Sequence, residues 1–164
     1  MSAYDVAAWA DFAVATASAA AALTGLIFVA VSLNLRAILA GGWLPGRAAQ
    51  TVALLLCVVV VALCLLVPGQ SDKALGVEII AVGGVLGLST VIWAATTDWP
   101  ADEPWHWRTV ALLAVLIPVA LLLVGGTSLA VGSFGGLYWV FAAAVAGMAA
   151  GVYNAWILLV EINR

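Results

Sequence analysis

Charge is scarce in this sequence. Five lysines and arginines and eight aspartates and glutamates make up 8% of 164 residues, where a soluble domain carries about a quarter. With 66% of the residues apolar, that scarcity excludes a soluble domain and leaves a chain consumed by membrane spans and short connections. There is no basic run, which argues against nucleic acid as a partner and against a polybasic lipid-binding patch. Histidine occurs once, as His106, in a polar connection, so no Ser-His-Asp set can form within the apolar segments; phosphate-loop, haem and zinc spacings are missing as well. The two cysteines, Cys57 and Cys64, lie seven residues apart in one apolar run. On a helix that puts them on one face but about 10 Å apart along the axis, too far to bridge. No cofactor, metal or catalytic residue is expected. The amino terminus lacks a basic n-region, and its first apolar run exceeds the core of a signal peptide, so retention rather than cleavage is expected.

What is present is long stretches without charge. A bilayer crossing needs about 20 apolar residues, and the chain offers five: about 12–35, 48–68, 75–95, 109–131 and 137–160. The run from Thr109 to Val160 contains no charge and is about twice the length of one crossing, so it must turn. The flexible residues Gly132, Ser133, Phe134, Gly135 and Gly136 mark the place, just before the interfacial pair Tyr138 and Trp139. The expected fold is therefore an all-α polytopic membrane helix bundle in a single domain. Five crossings put Arg36, Arg47, Arg108 and Arg164 on one side and Lys73 alone on the other, which predicts an outside amino terminus and a cytoplasmic carboxyl terminus.

Two helices carry seams of small residues. In the last span Gly147, Gly151, Asn154, Leu158 and Glu161 align at helical spacing, and in the first span Asp11, Ala15, Ser18, Ala22, Gly25, Val29, Ser32 and Arg36 do the same. Because these spans run in the same direction, the two seams are expected to dock, with Arg36 paired to Glu161 and Asn154 near Ser32. The alternative is that Arg36 snorkels to lipid phosphate while Glu161 sits in water. A third strip, Gly76, Gly83 and Gly87, suits packing within the bundle or between copies. Pro118 should kink or loosen the fourth span.

Two further places could carry function. Glu78 is the one carboxylate inside a span, one or two turns from the outer surface, and is a candidate for an ion or proton path as well as for simple contact with water. The inner connection 96–108 holds Asp98, Trp99, Asp102, Glu103, Trp105, His106 and Trp107. It reads as an interfacial loop, or as a docking surface for a cytoplasmic partner.

The segments AALTGLIFVAVSLNLRAIL, RAAQTVALLLCVVVVALCLLVPGQ and YNAWILLVEINR resemble a family of small uncharacterised membrane proteins from high-GC bacteria whose members are often labelled modulators of the membrane protease FtsH. That resemblance implies a multi-pass protein of the bacterial cytoplasmic (inner) membrane. The expected function is that of a non-enzymatic partner or regulator of a membrane complex, possessing a lipid bilayer environment and either further copies of itself or another membrane protein as partner. The competing expectation is a homo-oligomeric channel or transporter with a pore lined by Ser, Thr and Glu78.

Overall fold

A computed structural model describes residues 3–40, 42–97 and 105–162, of which 105–107 and 161–162 are described as backbone only. A 3-10 turn, Val6–Trp9, leads into α1 (Ala10–Leu33), followed by the short α2 (Leu35–Ala40), α3 (Leu44–Cys64), α4 (Asp72–Thr96), α5 (Trp105–Val131) and α6 (Leu137–Ile162). The fold is all-α, and five of the helices are long and apolar enough to cross a membrane.

The boundaries follow local chemistry. Asn34 interrupts the first span: it leaves the helical region at φ −110 and ψ 17, and its side-chain amide donates to the Ala30 carbonyl 2.9 Å away. Pro45 sits in the first turn of α3, where its missing N–H costs nothing. That start lies four residues before the expected one, so Arg47 is inside the helix rather than at its edge. Ser71 caps α4 by accepting from Ala74 N at 3.3 Å, with Asp72 in the first turn facing the positive end of the helix dipole. Helix α5 begins at Trp105, so Trp105, His106 and Trp107 belong to its first turn and not to a loop; Pro118 lies within it and the helix continues through. The chain reverses at 132–136 as expected.

Four helices close a ring in which α3 meets α4, α4 meets α5, α5 meets α6 and α6 returns to α3. Leu54, Val61, Leu75, Ile79, Leu129 and Val140 fill its interior. The glycine strip of α4 is spent inside this ring. A Cβ on Gly76 would stand 2.5 Å from the Gly126 carbonyl oxygen, and those on Gly83 and Gly87 would press on Leu122 and Val119 of α5. Helix α1 is outside the ring, packed on α3. Residue 3 reaches Leu137, whereas Leu158 clusters with Ile38 and Leu44. Arg36, Arg47 and Arg108 therefore gather at the bundle end opposite Lys73.

Candidate functional site

The α6 face singled out by its spacing is buried: Gly147, Gly151, Asn154 and Leu158 all point into protein. Its partner is α3, not α1. A Cβ on Gly147 would stand 2.9 Å from Val58, and one on Gly151 would stand 2.7 Å from Leu55. The glycines form a trough, and a trough is filled by branched side chains better than by a second trough. The expected docking of α1 on α6 is thereby corrected, since the two helices touch little. Helix α1 packs through Ala13, Thr16, Ala20 and Ile27. Asp11, Ala15, Ser18, Ala22, Gly25, Val29, Ser32 and Arg36 are all exposed on the opposite side.

The polar partner of Asn154 is corrected too. Ser32 is exposed and donates to its own helix at Phe28 O, 2.7 Å away. Asn154 instead accepts at Oδ1 from Arg47 Nη2 at 3.4 Å, and both side chains are only 2% exposed. The Arg47 guanidinium also lies 5.4 Å from the centre of the Trp43 ring, a cation-π contact that strengthens on desolvation. One turn further along α3, Thr51 donates to Arg47 O at 2.8 Å, and Thr90 of α4 donates to Gln50 Oε1 at 2.9 Å. Trp93 lies so close over Gly46 that any side chain there would enter the indole. Together these residues form a buried polar layer joining α3, α4 and α6 at the arginine-bearing end. Glu161 continues the Asn154 and Leu158 line along α6, but its side chain lies outside the described residues, so the Arg36–Glu161 pairing does as well.

A charge held inside a helical span is costly and marks function or specific assembly. Arg47 was read in the sequence as a boundary cation. The signal that distinguishes it is the spacing Arg47, Gln50, Thr51, which sets three polar groups on one side of α3.

The other candidates fall elsewhere. Glu78 is exposed on α4 and lies beside Cys64 at the far end of α3. It stands outside the ring, so a path lined by Glu78 would need a second molecule to enclose it. The hydroxyls of Ser18, Thr24, Ser32, Thr51 and Thr127 each donate to a carbonyl of their own helix, as serines and threonines in apolar helices do. Asp98, Trp99, Asp102 and Glu103 lie outside the described residues, and Trp105, His106 and Trp107 are described as backbone only. Among the described residues no group of three or more His, Cys, Asp or Glu could hold a metal ion.

The end of the bundle opposite the arginines carries a second polar cluster that sequence reading missed. Ser128 Oγ accepts from Gly136 N at 2.8 Å and donates to Ser133 O. Tyr4 Oη accepts from Gly135 N at 3.0 Å and lies 3.5 Å from Ser128 Oγ. Tyr4 is more than 120 residues from Ser128 and Gly135 in the chain, so no local pattern announces their meeting. Comparison with family models, with curated proteins and with solved structures finds no match to this chain.

Proposed function

We propose that the protein is a non-enzymatic partner or regulator of a membrane complex, residing in the bacterial cytoplasmic membrane with its arginine-bearing end inside, and that it docks through the outward face of α1. The observation that carries this reading is the contrast between its small-residue strips. Those of α4 and α6 are consumed by packing within the molecule. The strip of α1 is exposed along its whole length, and a Cβ on Gly25 would meet nothing within 4 Å. Small side chains on a lipid-facing helix forgo contact with acyl chains, but they let a second backbone approach closely, which is how membrane helices associate. The hydroxyls of Ser18 and Ser32 on this face are already bonded to Val14 O and Phe28 O at 2.8 and 2.7 Å. A helix can therefore close on the strip without stranding them.

The test is proximity within native membranes. Single cysteines replacing Ser18, Ala22 or Gly25 in a background lacking Cys57 and Cys64 should give a discrete cross-linked species of higher mass. The same cysteine at the inward-facing Ala20 should not. Whether the product is twice the mass of the chain or a heteromer tells self-association from a different partner, a membrane protease among the candidates. Equal cross-linking from both faces, or none from either, would remove the support for this reading.

A further inference from the structure

Two grooves run along the outward side of α3, one on each flank. The first opens between α3 and the α1–α2 corner at the arginine-bearing end and encloses about 430 Å³. Phe28 and Val31 of α1 and Leu35 and Leu39 of α2 border it, and Ala49 and Ala53 of α3 give it depth, because a methyl side chain leaves open the space that a larger one would fill. The second lies between α3 and α4, encloses about 380 Å³, and has Val60, Ala81, Val85 and Ser89 among its walls. Ala53 and Leu56 line both. Leu56 is 51% exposed, so it stands between the grooves as a ridge and keeps them apart as two narrow channels. A helix, about 10–12 Å across with its side chains, would ride on that ridge rather than enter either channel.

The two channels are alike in lining and unlike in charge. Every residue lining the first is apolar. In the second the one hydroxyl, Ser89, already donates to Leu86 O at 2.8 Å. Neither offers water the polar partners it needs, so hydrocarbon fills both. Beside the first channel Arg36 is exposed, three residues before the lining residue Leu39 and so its neighbour on α2. Among the described residues its guanidinium has no hydrogen-bond or ion-pair partner. The nearest charge to the second channel along α4 is instead the exposed carboxylate of Glu78, about one turn from Ala81. From Pro45 to Leu56 the first channel follows about 16 Å of helix rise. That is close to half of the hydrocarbon core of about 30 Å, the depth of a single leaflet.

From these observations we infer that the first channel is a binding site for an anionic phospholipid of the leaflet at the arginine-bearing end, with one acyl chain in the channel and the phosphate on Arg36. The chain covers apolar surface that α1 and α2 leave open on α3, and the phosphate supplies a counter-charge to the guanidinium. A basic side chain at headgroup level favours an anionic lipid by a factor of about five. The second channel, similar in size but with a carboxylate beside it, takes hydrocarbon without selecting a headgroup. The site uses the flank of α1 that carries Phe28 and Val31, not the strip of Ser18, Ala22 and Gly25, so it stands whether or not a protein docks on that strip.

Photolabelling tests this with the whole protein in phosphatidylcholine bicelles that carry a trace of either phosphatidylglycerol or phosphatidylcholine with a diazirine at mid-chain, the labelled peptides being mapped by mass spectrometry. Phosphatidylglycerol should label the segments around Phe28 and Val52 about five times more strongly than phosphatidylcholine, and unlabelled phosphatidylglycerol should compete. Arg36→Gln should bring the two lipids level, and Arg36→Lys should keep the preference. Because Arg36 is exposed, neither should move the thermal midpoint. Ala49→Trp, which fills the first channel from an exposed position, should remove the phosphatidylglycerol label there, whereas Ala81→Trp, which fills the second, should leave it. Equal labelling by the two lipids in the parent, a preference that survives Arg36→Gln, or loss of the label in both tryptophan variants would each overturn the inference. Absence of label from the first channel would overturn it as well, and a cross-link from Ala49→Cys to another chain would then identify a protein segment as the occupant.

Discussion

The first and second spans are nearly equal in mean hydropathy, yet 50% of the α3 window is buried within the protein and only 17% of the window containing α1. Hydropathy measures transfer into lipid, and both segments satisfy it. What separates them is the distribution of size and polarity around the helix. Helix α3 has branched knobs at Leu54, Leu55 and Val58 and polar groups at Arg47 and Gln50, and each finds a matching surface on α4 or α6. Helix α1 keeps its large side chains, Leu26, Phe28 and Leu33 among them, exposed and buries mainly the small Ala13, Thr16 and Ala20, so it rests on α3 without closing the ring.

The strongest way to break this comparison is to remove what makes α3 the centre. Arg47→Ala would delete the hydrogen bond to Asn154 and the contact with Trp43, and would leave a cavity where the side chain was. Large-to-small changes at buried positions cost about 2–5 kcal/mol, and this one should fall in that range. Thermal unfolding in detergent followed by tryptophan fluorescence would measure it. A variant as stable as the parent would show that the buried arginine layer does not hold the ring together.

Gly76→Val tests the ring from its other side. The added methyl groups would enter the backbone of α5 at Gly126 and Ala130, where no side chain can move aside. Overpacking of that kind costs about 1–3 kcal/mol, so the same measurement should show a smaller loss than for Arg47→Ala. A neutral result would mean that α4 and α5 can slide apart at this crossing without cost.

Much of this arrangement was legible from residues alone. Charge spacing placed the five spans, and the glycines at 132–136 marked the reversal, because the cost of burying charge and the need for left-handed backbone both show in composition. The Gly147 and Gly151 trough was recognisable as buried, but a trough does not name the knobs that fill it. The face of α1 was inverted for a concrete reason: Ala13 and Ala20 line one side and Ala15 and Ala22 the other, so smallness by itself selects neither. Only Thr16 and Ile27 mark the inward side. Arg47 was mistaken for a boundary residue because α3 starts a full turn earlier than charge spacing suggests. The polar cluster of Tyr4, Ser128 and Gly135 was invisible, since it joins groups more than 120 residues apart in the chain.

The smallest expected effect on the fold is the most informative about α1. Gly25 and Gly84 both face open space, and a Cβ added at either meets no atom of the protein within 4 Å. Gly25→Leu and Gly84→Leu should each leave stability within about 0.5 kcal/mol of the parent, as changes away from packed features do. Their consequences for association should differ. Gly25 lies in the outward strip of α1, so a leucine there holds an approaching backbone off and should abolish the cross-link formed through a cysteine at Ser18. Gly84, on α4, should leave that cross-link intact. Loss of the cross-link in both variants would make bulk anywhere on the lipid-facing surface enough to disturb association, and α1 would lose its special role. Loss in Gly25→Leu alone, at unchanged stability, would separate the two uses of small residues in this molecule: closing the ring from within, and offering α1 to a neighbour.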